Sequence, residues 1–78
     1  MRVSKVREEN LRERLAAYLR NEVFSGRLRP GQRIIESRVA KKMNVGQPTI
    51  REALQVLEHE GLITRISRKG CRVTVLSA

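Results

Sequence analysis

The sequence predicts a mainly α-helical domain with a small β-hairpin at its end. Before Gly61, apolar residues recur three and four positions apart, which is the spacing of amphipathic helices. After Gly61 they alternate with polar residues, which is the spacing of strands. A chain of 78 residues buries too little surface to stabilise more than one domain, so we expect a single domain over residues 1–78.

The first predicted helix covers residues 6–24. Four apolar residues at intervals of four form its expected buried stripe: Leu11, Leu15, Leu19 and Val23. Tyr18 and Phe24 lie on the same helix. We expect them in the core rather than on a surface that stacks bases, which argues against single-stranded nucleic acid as the ligand. Gly26 then permits the left-handed conformation that commonly ends a helix.

Two further helices are predicted at residues 36–43 and 47–60. Between them, Asn44 and Gly46 both tolerate the positive φ of a tight turn, and Pro48 suits the first turn of the third helix. The second helix is expected to bury Val39, Ala40 and Met43. The third helix has an apolar stripe that consists of Ile50, Ala53, Leu54 and Leu57.

The end of the chain is predicted to form two strands, at residues 62–66 and 71–75, joined by a polar turn with basic residues at its tip. A short extended segment is also expected at residues 32–35. A helix-turn-helix followed by a basic hairpin is the layout of the winged helix-turn-helix fold. The sequence therefore predicts three helices plus a two-stranded wing at residues 62–75.

Charge is the strongest signal in the composition, with 17 Lys and Arg against 8 acidic residues and a formal net charge of +9. Residues 27–51 contain seven basic residues and one acidic residue, residues 52–60 three acidic and no basic, and residues 61–78 four basic and no acidic. This segregation favours a polyanion, double-stranded DNA first, that meets the start of the third helix but not its end. A charged solvated surface and an anionic membrane are the alternatives, although a membrane-surface helix needs a wide exposed apolar face.

Several other classes of function are disfavoured. Cys71 is the single cysteine, so the chain has no internal disulfide and too few thiols for a zinc site. We expect Cys71 to be a small strand residue. A reducing, cytoplasmic setting fits this cysteine content. His59 is expected at the surface. No carboxylate pair, nucleophile with a base or phosphate-binding loop stands out, so we expect neither an enzyme nor a cofactor. The apolar runs are too short for a transmembrane span or a signal peptide.

One set of residues between about 11 and 75 carries a family resemblance: Gly26, Leu28, Pro30-Gly31, Ile34, Glu36, Val39-Ala40, Val45, Ile50-Arg51-Glu52-Ala53-Leu54, Leu57, Glu60-Gly61-Leu62, Gly70 and Val73. Together they resemble the GntR-type bacterial transcription regulators. The stretch from Arg51 to Leu54 resembles the branch in which an all-helical effector domain follows the DNA-binding domain. The resemblance implies a transcription regulator that binds a pseudo-palindromic operator as a homodimer. It implies a small-molecule effector only if the full protein has a C-terminal effector domain. We expect that domain to be absent from this chain.

The sequence departs from that family just before the third helix. Members commonly have Ser-Arg there, and this chain has Gly46-Gln47. A glutamine can bond N6 and N7 of adenine together, whereas arginine favours guanine. We therefore expect this chain to read A·T where relatives read G·C.

The candidate DNA-binding residues form three groups. The first turns of the third helix offer side chains for base edges or phosphates: Gln47, Thr49, Arg51 and, one turn on, Gln55. The second helix and the segment before it, which cross the DNA backbone in this fold, offer Arg33, Ser37, Arg38, Lys41 and Lys42. The wing tip offers Arg68, Lys69 and Gly70 for the minor groove or its phosphates. Two alternatives stay open, an ion pair of Arg51 with a neighbouring Glu, and a winged helix that contacts protein or RNA.

Overall fold

The computed structural model describes residues 3–68 and 70–75, with side chains described from residue 10 onward. Three helices and three strands occupy this part of the chain: α1 (Val3–Ser25), β1 (Arg33–Ile35), α2 (Glu36–Met43), α3 (Gln47–His59), β2 (Ile63–Arg65) and β3 (Gly70–Val73). Helices predominate and a hairpin follows the third of them. The predicted winged helix-turn-helix fold is therefore confirmed.

The first helix, α1, begins earlier than predicted and ends at Ser25. Gly26 follows with φ 86°, the left-handed conformation expected of it. The buried face of α1 consists of Leu15, Ala16 and Leu19, which join the hydrophobic core that α3 also lines. The stripe predicted from the four-residue spacing is thus correct in the middle of the helix.

Three residues of α1 that were predicted in the core are exposed, so these predictions are wrong: Leu11, Tyr18 and Phe24, the last at 69 %. Tyr18 and Phe24 each adjoin a stripe position in sequence. Neighbouring residues on a helix point roughly 100° apart, so both side chains leave the buried face. Leu11 lies on the stripe, but α1 is longer than the α3 helix that packs against it, and its early turns extend past that cover.

The turn between α2 and α3 depends on Asn44, which has φ 59°. The next backbone N–H, that of Val45, donates to the Ala40 carbonyl at 3.0 Å and closes α2. Gly46, which tolerates a positive φ, does not adopt one: it has φ −69° and is the extended N-cap of α3. One left-handed residue is enough for this turn. The third helix begins at Gln47, as predicted, and ends one residue before the predicted position.

The sheet has the strand order β1-β3-β2, with both pairs antiparallel. The strands β2 and β3 form the predicted hairpin, although both are shorter than predicted. The segment predicted as extended at 32–35 contains β1, which pairs with β3 and adds a third strand to the two-stranded wing. Side chains alternate across this pair. Ile34 and Cys71 are opposite each other and buried, whereas Arg33 and Arg72 are opposite each other and exposed.

The core lies between the three helices and the inner face of the sheet. The stripe predicted on α3 is confirmed, because all four of its residues are fully buried: Ile50, Ala53, Leu54 and Leu57. On α2, Ala40 is buried, while Val39 and Met43 are half-buried against the same core. Since one face of α3 is committed to the core, only the opposite face of this helix is available to a ligand.

Candidate nucleic-acid interface

The first turns of α3 place Gln47, Thr49 and Arg51 outside the buried stripe. Gln47 and Thr49 are half-buried, and the Arg51 side chain is 47 % exposed. They lie at the N-terminal end of α3, where the helix dipole and the unbonded N–H groups favour negative charge. The structure thus places three of the predicted reading residues in the first turns of one helix, at its positive end, and brings Gln47 and Arg51 together at a shared partner, Glu36.

Glu36, in the first turn of α2, joins these side chains to the wing. It is 0 % exposed, yet its carboxylate has three donors. Oε1 accepts hydrogen bonds from Nε2 of Gln47 at 3.4 Å and from Nε of Arg51 at 3.2 Å. Oε2 accepts from Nη1 of Arg65, on β2, at 2.9 Å. A buried charge needs partners of this kind, and here the partners come from α3 and from β2 of the wing.

The contacts of Glu36 determine its charge. Burial alone raises the pKa of the Glu36 carboxyl, but the hydrogen bonds from its three donors, that of Arg65 first, outweigh burial and leave the pKa below its usual value. The group is therefore an ionised carboxylate that accepts hydrogen bonds and donates none. The alternative interpretation of Arg51, an ion pair with a glutamate, applies to one of its nitrogens, because Nε pairs with Glu36. Its two terminal nitrogens have no hydrogen-bond partner among the described residues.

The second helix and β1 present a row of cations to solvent. Arg38, Lys41 and Lys42 are exposed on α2 together with Ser37, and Arg33 is exposed on β1. None of these four cations has a carboxylate partner within the part of the chain that the structure describes. Cations without internal partners are available to phosphates.

The wing tip contains Arg68, which is exposed between β2 and β3. Lys69 lies outside the described residues. Gly70 is buried at the start of β3, and a Cβ atom there would lie 3.2 Å from the carbonyl oxygen of Ile34. The close approach that requires glycine at this position is therefore that of β3 to β1.

Two arginines of the sheet, Arg65 and Arg72, were not predicted as part of the site from the sequence. Arg72 is exposed on the central strand, directly opposite Arg33, and like charges in this arrangement repel each other unless an anion lies between them. Its alternation with buried Cys71 and Val73 could have identified Arg72 as a solvent-facing cation. Arg65 had no such signal, because its partner Glu36 is 29 residues away in sequence.

Gln55 lies apart from Gln47 and its neighbours. It is exposed and lines a shallow groove with Arg12 and Glu52, on the side of α3 that faces α1. At the end of α3, Arg20 donates to Glu60 through Nε at 2.9 Å and through Nη2 at 2.7 Å. The hydrogen bonds from Arg20 lower the pKa of Glu60. The acidic end of α3 is thus partly neutralised from within the fold.

The remaining singled-out residues take structural or surface positions. Cys71 is buried on β3, as predicted for a small strand residue, and burial raises the pKa of its thiol to about 11, which leaves little reactive thiolate at neutral pH. His59 is exposed, as expected. Within the described ranges, His, Cys, Asp and Glu form no group of three that could hold a metal ion. No described helix is long and apolar enough to cross a membrane.

A helix-turn-helix with a β-wing behind its second helix places this chain in the winged helix-turn-helix class. A family model described as bacterial regulatory proteins, gntR family, matches residues 11–73, which is most of the chain. The chain belongs to the GntR family.

The relatives of this chain are named as regulators. It is 40 % identical over 60 residues to the uncharacterized HTH-type transcriptional regulator YdhC of Bacillus subtilis (strain 168), an alignment that covers 77 % of this chain and 27 % of that protein. It is 32 % identical over 60 residues to the HTH-type transcriptional repressor GlaR of Escherichia coli (strain K12), with the same two coverages. The chain thus spans about a quarter of the length of these relatives.

Solved structures agree with the family assignment. The crystal structure of a GntR-family transcriptional regulator from Pseudomonas syringae pv. tomato str. DC3000 superposes with a TM-score of 0.75 and 30 % sequence identity. The superposition covers 85 % of this chain and 28 % of that one. The winged helix-turn-helix described above is therefore the fold that this family shares.

Proposed function

We propose that this chain binds double-stranded DNA sequence-specifically in the service of transcription regulation, with α3 in the major groove and the wing at the minor groove or its phosphates. The distribution of partnered and unpartnered charge carries the proposal. Cations that lack a carboxylate partner in the described structure lie on α2, on the sheet and at the wing tip, around the start of α3. The acidic end of α3 instead has Arg20 and Arg65 as partners. A polyanion is attracted to the first region and not to the second.

Backbone contacts come from the cations around α3. Arg38, Lys41 and Lys42 of α2 and Arg33 of β1 bind phosphates on one side of the reading helix, and Arg68 binds them, or the minor groove, on the other. Ser37 adds a hydroxyl, and Gly70, buried beside β1, supports the wing contact by allowing the turn before it to lie close to the sheet. Lys69, outside the described residues, is assigned to the wing contact from its position in the sequence. Each neutralised phosphate releases condensed counterions, so binding weakens as salt rises.

We assign the reading of bases to the first turns of α3, which contain Gln47, Thr49 and Arg51. Gln47 replaces the arginine common in this family, and glutamine pairs with the N6 and N7 edge of adenine. This supports an A·T pair at the position that Gln47 reads. Gln55 is further along the helix beside Glu52, and its contact with DNA is an extension of the same proposal.

Membership of the family supports a proposal for the wider assembly. We infer that the residues 1–78 act as one non-enzymatic DNA-binding domain in the bacterial nucleoid, and that two copies bind a pseudo-palindromic operator as a homodimer. A small-molecule effector enters only through a C-terminal domain, if the full protein has one. The relatives, of which this chain spans about a quarter, support such a domain.

The test is selection of bound sites from a random duplex DNA library, followed by titration of the selected site, a scrambled duplex and a duplex RNA. We expect one preferred site, weaker binding to the scrambled duplex, and a steep fall in affinity between about 50 mM and 200 mM salt. Tighter binding to the RNA, or an affinity for DNA that shows no sequence preference, would overturn the proposal. Preference for an acidic protein over the selected duplex would assign the fold to protein contact instead.

A further inference from the structure

The buried carboxylate of Glu36 affects the orientation in which the amide of Gln47 would contact a base. A glutamine amide has two faces of opposite character, an oxygen that accepts and a nitrogen that donates, and it can turn over to exchange them. An ionised carboxylate accepts only. It therefore attracts Nε2 of Gln47, which lies 3.4 Å from its Oε1, and repels the amide oxygen.

We propose that Glu36 is a specificity-determining positioning residue, which holds the Gln47 amide in the one orientation that reads adenine and rejects guanine. This inference rests on the proposed function. Glu36 does not touch DNA in this scheme, because it is 0 % exposed. It acts through Gln47, the residue in which this chain departs from the family pattern.

The orientation of the amide decides between the two purines. Nε2 has two hydrogens and lies 3.4 Å from Oε1 of Glu36. In this scheme the hydrogen that points away from the amide oxygen bonds Glu36, and the other hydrogen lies beside that oxygen on the free edge. That edge accepts from N6 of adenine and donates to N7 at the same time. Guanine presents two acceptors, O6 and N7, so its O6 would meet the amide oxygen. If the amide were free to turn, Nε2 could direct its two hydrogens at O6 and N7, and the rejection of guanine would be lost.

The other donors on Glu36 keep this arrangement rigid. Nη1 of Arg65 lies 2.9 Å from Oε2 and Nε of Arg51 lies 3.2 Å from Oε1, so the carboxylate is bound from both sides and cannot rotate away from Gln47 without losing a charged partner. The bond to Gln47 is the longest of the three. By fixing the carboxylate of Glu36, Arg51 and Arg65 therefore contribute to the base specificity of Gln47.

The experiment measures base preference rather than affinity alone. The base pair read by Gln47 is first identified as the one whose preference disappears in Gln47→Ala. At that pair the unaltered chain is expected to bind A·T about tenfold more tightly than G·C. Glu36→Gln, whose amide can donate as well as accept, is expected to bring this ratio close to one. Preferences at positions that neither Gln47 nor Arg51 reads should be retained, because Glu36 holds only these two side chains of α3 among the described residues. In a Gln47→Ala background the same substitution should change nothing at this position.

Glu60→Gln is the matched control, because it removes a carboxylate from the opposite end of α3 and should keep the A·T preference. A folded Glu36→Gln chain, checked by circular dichroism, that still rejects guanine would overturn the inference. Equal binding of A·T and G·C by the unaltered chain would overturn it too, even if Glu36→Gln failed to fold. Failure of the proposed function has a different signature, which is the absence of any selected site on duplex DNA.

Discussion

Arg65 of β2 and Glu36 of α2 form an ion pair, with 2.9 Å between Nη1 and Oε2, that fastens the wing to the helix-turn-helix. Arg65 also reaches Oε1 of Glu58 at 3.7 Å, so the same side chain joins β2 to the end of α3. The wing and the reading helix are thus held by one guanidinium and one buried carboxylate. Their relative position depends on charges within the fold as well as on the hydrophobic core.

Substitution of Arg65 by methionine should destabilise the fold. Methionine keeps most of the apolar length, but Oε2 of Glu36 loses its donor while remaining buried, at a cost of roughly 1 to 3 kcal/mol in the free energy of unfolding. Urea denaturation measures this loss. Arg68→Met is the control, because Arg68 is exposed and has no carboxylate partner in the described structure, and its effect should stay within about 0.5 kcal/mol. Equal losses in the two variants would contradict the role of the ion pair.

Arg51→Ala should weaken binding to the selected operator by about 1 to 3 kcal/mol. The terminal nitrogens of Arg51 are available to DNA while Glu36 holds its Nε, so the side chain approaches DNA with little ordering left to lose. A duplex titration gives the affinity, and thermal unfolding confirms that the variant is folded. Arg14→Ala removes the same charge from an exposed position on α1 and should leave the affinity nearly unchanged. If the two variants bind alike, Arg51 is only a partner of Glu36.

Arg68→Ala should weaken binding to every duplex by a similar factor. An exposed wing cation that contacts phosphate contributes no sequence information, and its loss should reduce the slope of log affinity against log salt by about 1. The salt titration is made on the selected operator and on the scrambled duplex. A change confined to one base pair of the operator would instead mean that Arg68 reads a base edge in the minor groove.

Hydrophobic spacing was sufficient to predict the helices, because each one buries a stripe against a single core. The bounds of α2 and the start of α3 agree with the prediction. The same spacing, applied strictly, also accounts for the exposure of Tyr18 and Phe24, since each side chain points about 100° away from a stripe position. The exposure of Leu11 could not be predicted in this way, because Leu11 lies on the stripe. Its exposure depends on which surface the neighbouring elements cover, and this is a property of the assembled fold.

Of the polar residues in the candidate site, those in the first turns of α3 were predicted from the sequence, and the buried one was not. The grouping of Gln47, Thr49 and Arg51 followed from their positions on one helix, and so did their separation from the core stripe. Glu36 was recognised only as part of the family pattern, because nothing local distinguishes a buried glutamate from the other seven in the sequence. Its contact with Arg65 spans 29 residues and depends on the packing of the sheet against α2.

Gly70→Ala should destabilise the sheet. The added Cβ would lie 3.2 Å from the carbonyl oxygen of Ile34, and this oxygen belongs to the backbone of β1, so relief requires a shift of one strand from the other. We expect a loss of roughly 1 to 2 kcal/mol in the free energy of unfolding. Gly46→Ala is the matched control, since Gly46 has φ −69° and its Cβ would meet Pro48 Cδ at an ordinary 3.7 Å. A Gly70→Ala chain as stable as the Gly46→Ala chain would show that the two strands separate easily.

The stability of the fold should decrease in acid through Glu36. Its pKa in the folded chain lies below the usual value of 4.5, so between these two values the unfolded chain binds a proton that the folded chain does not. The contribution of Glu36 is therefore complete above that usual value and is lost as the pH falls through the folded pKa. The groups that face it are the guanidinium groups of Arg51 and Arg65 and the amide of Gln47. Urea midpoints measured from neutral pH down to about pH 3 should fall less steeply for Glu36→Gln than for the unaltered chain. Glu60→Gln removes another described carboxyl with a lowered pKa, one whose side chain is 38 % exposed, and should flatten the curve less. Parallel curves for the unaltered chain and Glu36→Gln would mean that the buried carboxylate gains no net stabilisation from its three donors.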